Sequence, residues 1–365
     1  MELALYDRER GYYARAAQRS GRAGDFFTSV DVGPIFGELL EIQLAEMADI
    51  LDAQSPEPKA QSPFDLVEAG AGNGRLAADI LRAARRRDPQ VYDRVRLHLV
   101  EASAAARAVQ RTTLDDVADR LASSREWLPA SFEGAIVANE LLDALPVHQV
   151  VMRTDGLREV YVDVCDDRLV TREGPLSTSG IVEYLDGLGV ALEPGWRAEI
   201  NLHAISWIRD LARRLRRGFV VLIDYGHEAG ELYSASHAGG TLTTFARHTM
   251  AGAESDTNNQ PPWLQDPGER DITAHVNFTG VRAAAEAEGL TTLGFLDQTY
   301  FLLGILGAGQ ESSFAEHSRE LARPLIQLKT LLMPGGLGST HKVLIMGKGV
   351  GTPALRGCSY KMRVT

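Results

Sequence analysis

The sequence predicts a doubly wound α/β fold with a mostly parallel central sheet. Two observations lead to this prediction. Short apolar segments alternate with stretches of helical periodicity, and the first such segment, 64–69, runs into a cluster of glycines. Strands that are separated by helices pair in parallel, and the helices then cover both faces of the sheet. A chain of 365 residues, 44% of them hydrophobic, is long enough to bury such a core together with insertions.

The predicted elements follow one another along the chain. A helix at 34–51 leads into a connection at 54–63 that is rich in proline and serine. After the strand at 64–69, further strands are predicted at 95–100, 134–138, 219–223, 291–296 and 343–346. Helices are predicted at 76–87, 103–111, 114–122, 280–288 and 314–332.

Three stretches depart from this rhythm. Residues 149–172 alternate with period two and carry Asp-Gly and Asp-Asp pairs at turn positions, which predicts a hairpin or a three-stranded meander. Residues 226–272 are polar and rich in glycine, and we expect a long irregular loop that lines a substrate cleft and is mobile around 250–265. The aromatic and glycine-rich residues 1–30 are expected to form an ordered loop.

Composition excludes several classes of function. The net charge of −11 disfavours non-specific binding to nucleic acid, because that affinity comes from Lys and Arg at phosphates. No apolar run reaches the roughly 20 residues that cross a bilayer, so no membrane insertion is expected. Two distant cysteines and nine histidines without ligand spacing predict no metal. The acidic first residues resemble neither a signal nor a transit peptide, which predicts a cytoplasmic protein. The oligomeric state stays open.

The glycine cluster is the main chemical signal. Gly70, Gly72 and Gly74 join a strand to a helix, where glycine lets the backbone approach a ligand. A dinucleotide turn would need its third glycine at Arg75. The G-x-G-x-G spacing, preceded by Glu68, resembles the first motif of class I methyltransferases and favours S-adenosylmethionine. A nicotinamide-dependent oxidoreductase is the less favoured alternative.

A carboxylate follows the second strand. Glu101 lies 27 residues past Gly74, where it can accept hydrogen bonds from both ribose hydroxyls of a nucleoside. Capping of the helix at 103–111 is the alternative role for Glu101. We expect the adenine to pack near Trp127 and Leu128, just past the position of a third strand.

Several sequence blocks resemble the MidA family. They are Leu5 to Tyr13, Gly24 to Ser29, Phe36 to Glu38, the glycine turn, Ala138 to Val147, Leu222 to His227, Gly240 to Leu242, and Asp271 to Phe278. The family's turn usually has Pro at the position of Ala71, and Pro-Glu at Val30-Asp31. The resemblance covers nearly the whole chain and implies a Rossmann-like class I methyltransferase that uses S-adenosylmethionine. Because the family includes a mitochondrial protein-arginine methyltransferase, it also implies an arginine-bearing protein substrate, such as a subunit of a respiratory complex.

This reading divides the chain by role. Residues 1–63 would cover the cofactor site, with Thr28 among the cofactor-binding residues. Residues 64–148 and 196–348 would form the methyltransferase core, 149–195 an inserted β/helical subdomain, and 349–365 a tail.

The catalytic candidates lie at predicted strand ends, where open α/β sheets bind ligands. Asn139, nearest the cofactor, precedes Glu140 and Asp143, which would share a face if 140–145 formed a helical turn. Asp224 follows the predicted strand at 219–223, and His275 ends the long insertion. Helix capping is the alternative role for Glu140 and Asp143. A small-molecule methyltransferase and a cofactor-binding assembly factor without turnover stay open as alternative functions.

Overall fold

The computed structural model describes residues 1–14, 28–54, 62–246, 249–251, 261–307, 322–332 and 340–360. The chain divides into two compact units. We call Phe27–Glu140, Leu211–Asp224 and Glu288–Thr365 the core unit, and Met1–Phe26, Leu141–Asp210 and Tyr225–Ala287 the insertion unit. The division by role predicted from the sequence stays a prediction.

The strands, in chain order, are β1 Phe64–Ala69, β2 Val95–Val100, β3 Leu121–Arg125, β4 Phe132–Asn139, β5 His148–Arg153, β6 Gly156–Cys165, β7 Arg168–Gly174, β8 Arg197–Ile200, β9 Leu215–His227, β10 Thr243–Ala246, β11 Thr249–Ala251, β12 Asp271–Thr273, β13 Val276–Asn277, β14 Thr291–Asp297 and β15 His341–Lys348. The helices are α1 Glu2–Tyr6, α2 Ile35–Ala53, α3 Arg75–Arg87, α4 Pro89–Arg94, α5 Ala104–Leu114, α6 Gly180–Leu188, α7 Leu202–Arg214, α8 Ala229–Leu232, α9 Phe278–Ala287, α10 Gln298–Gly307 and α11 Ala322–Leu332.

The central sheet confirms the predicted α/β fold. Its strand order is β14-β15-β9-β4-β1-β2-β3. The pairs β1–β2, β1–β4, β4–β9 and β2–β3 are parallel, and β14 runs antiparallel to β15. Every residue of β1 is buried, as expected for a central strand that is covered on both faces. The helices α2 and α3 supply apolar residues to the same core cluster as β1.

The insertion unit contains the predicted meander. Strands β5, β6 and β7 pair antiparallel in sequence order, and their turns fall at the predicted Asp-Gly and Asp-Asp pairs. Asp166 and Asp167 have φ of 48° and 60°, a left-handed conformation that aspartate tolerates better than most residues. A fourth strand, β8, pairs with β5 and was not predicted.

Other sequence predictions need correction. The segment 226–272 is not simply irregular, because α8 and the three-stranded sheet β11-β10-β12 form within it. Most of the stretch expected to be mobile, 252–260, lies outside the described residues. The predicted helix at 114–122 is instead a short 3₁₀ segment, Asp115–Arg120, followed by the edge strand β3. Asp115 ends α5 with a φ of 48°, which interrupts the helical path.

Two further predictions concern the start of the chain and the helix at 314–332. Residues 1–14 form α1 and a 3₁₀ turn rather than a loop, because Leu5 and Tyr12 are fully buried in a small apolar cluster. Of the predicted helix at 314–332, the structure describes α11, and residues 308–321 lie outside the described part of the chain.

Two glycines allow the backbones of three neighbouring strands to approach closely at one row of the sheet. Gly134 of β4 pairs with Asp65 of β1 and with Gly218 of β9. A Cβ atom at Gly218 would lie 1.9 Å from the Gly134 carbonyl oxygen, and Gly218 has a φ of +140°. Both observations restrict this position to glycine.

We therefore predict that Gly218→Ala lowers the free energy of unfolding by about 3 kcal/mol or more, because the strands must separate to admit a methyl group. Urea unfolding followed by circular dichroism measures this loss. The control is Gly187→Ala in α6, where a Cβ atom would meet no described atom within 4 Å. That control should be neutral or stabilise by up to about 1 kcal/mol. Equal stability of the two variants would contradict the close approach of the strands.

Candidate functional site

The glycine turn after β1 adopts a backbone path that favours glycine. Gly70, Gly72 and Gly74 have φ of 71°, 49° and 85°. The Gly70 and Ala71 N–H groups both donate to the carbonyl of Val100, at 2.9 and 3.1 Å, which ties the turn to the end of β2. A Cβ atom at Gly72 would meet no described atom within 4 Å, so the space before this glycine is open. The turn thus presents bare backbone to a region that a ligand can enter.

Glu101 faces the same turn. Its Oε2 accepts a hydrogen bond from the Gly72 N–H at 2.7 Å, and its Oε1 accepts one from the Ser103 N–H at 2.7 Å. Burial raises the pKa of Glu101, and the two backbone N–H groups counter part of that rise. Each carboxylate oxygen keeps a further lone pair for a hydroxyl group. The side chain that caps α5 is that of Ser103, not that of Glu101. This observation does not support the alternative role of Glu101 as a helix cap.

Glu68 lies behind the turn rather than in front of it. The side chain is buried, and its Oε2 accepts a hydrogen bond at 3.1 Å from the Ala77 N–H in the first turn of α3. Burial, together with the nearby Glu101 carboxylate, raises the pKa of Glu68 to about 8. Glu68 therefore holds the start of α3 against β1, and much of it is protonated at neutral pH.

Asn139 and Glu140 lie at the end of β4. The Glu140 N–H donates to the Ile223 carbonyl of β9 at 2.8 Å, and Glu140 has a φ of +52°. Such a conformation costs a non-glycine residue of order 1–3 kcal/mol and is concentrated at functional sites. The Asn139 amide donates to Glu140 Oε1 at 3.2 Å. The Asn139 Oδ1 atom is buried and has no hydrogen-bond partner among the described residues.

A histidine that the sequence reasoning missed lies beside Glu140. His341, the first residue of β15, is fully buried, and its Nε2 atom lies 3.3 Å from Glu140 Oε1. The signal that could have identified it is its position two residues before the last predicted strand, 343–346. The imidazole ring of His341 and the Asn139 amide both contact the same oxygen of the Glu140 carboxylate, Oε1.

The other catalytic candidates are distributed over both units. Asp224, in β9, is almost fully buried in the core unit. Asp143 belongs to the insertion unit, where its carbonyl accepts a hydrogen bond from Ala274 N–H at 3.0 Å. The prediction that 140–145 forms a helical turn is wrong, because the left-handed Glu140 ends the regular structure there. Glu140 and Asp143 consequently share no helix face.

The remaining cofactor candidates differ in exposure. Thr28 is buried and is the N-cap residue of a 3₁₀ turn, and its N–H and its hydroxyl both donate to Asp31 Oδ2, at 2.9 and 3.0 Å. Asp31 in turn pairs with Arg75, the first residue of α3. Trp127 is 71% exposed and Leu128 is buried. They follow β3, whose last residue Arg125 accepts a hydrogen bond from the Glu101 N–H at 2.9 Å.

His275, the remaining catalytic candidate, has a shifted pKa. Burial and the neighbouring rings of His227 and His237 lower its pKa to about 4. A base with so low a pKa accepts protons poorly at neutral pH. The predicted role of His275 in the reaction stays a prediction. The three histidines come from positions 10 and 38 residues apart, so their spacing gave no sign of the cluster they form.

Comparison with known proteins identifies the family of this chain and its cofactor. Residues 39–296 match the model of the family Methyltransf_28, described as S-adenosyl-L-methionine-dependent methyltransferases. The chain belongs to this family. The protein is therefore a methyltransferase that uses S-adenosylmethionine, and the predicted resemblance to the MidA family is confirmed. The G-x-G-x-G spacing, rather than the presence of glycines, was the informative signal.

Similar proteins extend the comparison. The protein arginine methyltransferase NDUFAF7 homolog, mitochondrial, of Drosophila melanogaster is 29% identical over 96% of this chain and 80% of its own length. The mouse protein arginine methyltransferase NDUFAF7, mitochondrial, is 29% identical over 83% of this chain and 68% of its own. The crystal structure of a COG1565 superfamily member from Burkholderia thailandensis bound to S-adenosyl-homocysteine has 29% identity and a TM-score of 0.81, covering 98% of this chain and 88% of that one.

These relatives correct the predicted location. The sequence predicted a cytoplasmic protein, but the curated relatives from fly, mouse and human are named as mitochondrial proteins. The composition of the chain supported only a default assignment. Among the residues that the structure describes, no helix combines the length and the apolar character needed to span a membrane.

The open space before Gly72 generates a first prediction for this site. Gly72→Val should weaken binding of S-adenosylhomocysteine by about 100-fold or more, because the new side chain fills the space that the ligand needs. Isothermal titration calorimetry measures the affinity. Gly351→Val is the matched control, since Gly351 also has a positive φ, 66°, and open space around it. Equal affinity of the two variants would contradict a cofactor at Gly72.

The raised pKa of Glu68 generates a second prediction. Its folded pKa, about 8, exceeds the ordinary value of 4.5, so the folded state binds more protons between these values than the unfolded state does. The stability that this group contributes is present below pH 4.5 and is lost as the pH rises through 8. The free energy of unfolding should therefore fall from pH 5.5 to pH 8.5, and the fall should be smaller in Glu68→Gln. Urea unfolding at the two pH values tests this, and identical pH dependence in both proteins would contradict it.

Proposed function

We propose that this methyltransferase modifies an arginine side chain of a protein substrate. The observation that carries the proposal is the similarity to relatives named protein arginine methyltransferases, which extends over 96% of the chain in the fly protein. The position of Glu140 supports it, because a carboxylate at the sheet edge suits a cationic acceptor. The net charge of −11 favours the approach of a cationic segment. A subunit of a respiratory complex stays the predicted kind of acceptor.

We assign the cofactor to the edge formed by the turn, Glu101 and Asn139. The bare backbone of Gly70 to Gly74 would lie against the ligand, and Glu101 would accept its ribose hydroxyls. The buried and unpartnered Asn139 Oδ1 atom would accept a hydrogen bond from the amino group of the ligand. Trp127 and Leu128 would flank the adenine. Glu68 and Thr28 would act indirectly, by holding α3 and the turn that precedes α2.

Bound S-adenosylmethionine supplies an electrophilic methyl group on a sulfonium. A guanidinium is a poor nucleophile while its charge is delocalised, so the protein must orient one nitrogen and receive its proton. We assign both tasks to the Glu140 carboxylate. The bound cofactor would supply the methyl group and keep the carbon–sulfur electron pair on its sulfur, and Glu140 would receive the proton that the methylated nitrogen gives up. Asn139 and His341, which contact Glu140 Oε1, would fix the direction of the carboxylate. Roles for Asp143 and Asp224 in the reaction stay predictions.

The test separates binding from transfer. We expect Glu140→Gln to bind S-adenosylhomocysteine within about threefold of the parent affinity while methyl transfer falls by about 100-fold or more. Labelled S-adenosylmethionine and a native cell lysate supply cofactor and acceptors, and mass spectrometry locates the label. The control, Glu173→Gln, changes an exposed carboxylate that pairs with Arg153 and should transfer at the parent rate.

Each other outcome contradicts a different part of the proposal. Parent-level transfer by Glu140→Gln would remove Glu140 from the mechanism but leave the function. Label found on small molecules alone would exclude a protein substrate. Cofactor binding without transfer to any acceptor would favour an assembly factor that lacks turnover.

A further inference from the structure

Three histidines meet within the insertion unit. His227 ends β9, His237 lies in the 3₁₀ turn Ala235–His237, and His275 precedes β13. One ligating nitrogen from each ring lies within 4.8 Å of those of the other two. The ring centroids are 4.8, 5.2 and 5.9 Å apart. Three imidazoles from three chain segments thus surround one point.

Backbone structure fixes two of these positions, those of His227 and His275. His227 pairs with Asn277 in the parallel ladder of β9 and β13. The His275 N–H donates to Thr241 Oγ1 at 3.0 Å, and the Thr241 N–H and hydroxyl both donate to the buried carboxylate of Glu199, at 2.7 and 3.0 Å. Because these anchors are backbone or buried groups, the two histidines are held near one another by the fold.

Oxygen atoms lie close to the Nδ1 atoms of two of the rings. The Nδ1 atom of His227 lies 3.0 Å from Glu231 Oε1, and the Nδ1 atom of His237 lies 3.0 Å from the Glu231 carbonyl oxygen. When Nδ1–H donates to an oxygen, the Nε2 lone pair is left for a ligand, which is the arrangement usual around histidine-bound metals. The Nδ1 atom of His275 is buried and has no hydrogen-bond partner among the described residues.

We propose that His227, His237 and His275 bind a divalent transition-metal ion, with zinc the cation that fits best. Three imidazole nitrogens suit zinc and its neighbours in the first transition series, whereas calcium and magnesium prefer oxygen ligands. Zinc–nitrogen distances of about 2.0–2.1 Å in a tetrahedron place the nitrogens about 3.3 Å apart. Binding would therefore draw the three nitrogens, which lie within 4.8 Å of one another, closer together. The fourth position is open to water or to another ligand.

The metal would connect the end of β9, the segment after α8 and the start of β13. These three segments belong to the insertion that precedes α9, and they are separated by 10 and 38 residues along the chain. Metal binding to the folded state alone raises its stability, by an amount that grows with the metal concentration. This proposal does not depend on which acceptor the enzyme methylates.

Cobalt(II) titration tests the site, because tetrahedral cobalt absorbs visible light far more strongly than aqueous cobalt. The purified full chain is first treated with a chelator, then titrated with cobalt chloride, and zinc is added to displace the cobalt. We expect one equivalent to bind with an intense visible band, and His237→Ala to weaken binding by about 100-fold. Glu231→Gln should weaken binding by about 10-fold. Zinc should also raise the Tm of the parent protein by about 3 °C or more.

The control is His203→Ala. His203 is exposed on α7 and outside the cluster, so this variant should bind cobalt as the parent does. Far-UV circular dichroism confirms that His237→Ala is folded. The proposal is overturned if the parent binds no equivalent of cobalt or zinc. It is also overturned if His203→Ala and His237→Ala lose binding equally.

Discussion

The parallel pairing of β1 with β2 and β4 is the constraint on which the proposed cofactor site depends. In this register Ala69 lies opposite both Val100 and Ala138. The next residue of each strand, Gly70, Glu101 and Asn139, therefore falls in one row at the carboxyl edge of the sheet. Three residues that are distant in sequence acquire a common location from backbone hydrogen bonds alone. The bond from the Gly72 N–H to Glu101 then links the turn to the neighbouring strand end.

The same register continues to the proposed acceptor side. Asn139 lies opposite Ile223 in the β4–β9 ladder, so the following residues, Glu140 and Asp224, are level with each other. Glu140 leaves the strand in a left-handed conformation, and the Ile223 carbonyl and His341 hold it there. A strained residue with a carboxylate, placed directly after a cofactor candidate, is the arrangement expected when the direction of the carboxylate matters. Contacts of the fold thus offset part of the conformational strain that directs the Glu140 carboxylate.

Sequence reasoning succeeded where local pattern and strand position were sufficient. The bounds of β1 and β2 were predicted to the residue, because apolar runs and flanking glycines mark buried strands. The first two residues of edge strand β3, Leu121 and Ala122, were predicted as the end of a helix, since a short half-exposed strand has little apolar signal. The histidine cluster and the contact of His341 with Glu140 arise from tertiary structure that joins distant segments. Sequence spacing carries no information about such meetings.

The central claim is that the row formed by Gly70 to Gly74, Glu101 and Asn139 binds the cofactor. A crystal structure of the protein with S-adenosylhomocysteine measures this most directly. The account predicts both ribose hydroxyls within hydrogen-bond distance of the Glu101 carboxylate, the ligand lying across Gly72, and its amino group at Asn139 Oδ1. A ligand bound elsewhere, or one whose ribose contacts no oxygen of Glu101, would contradict it.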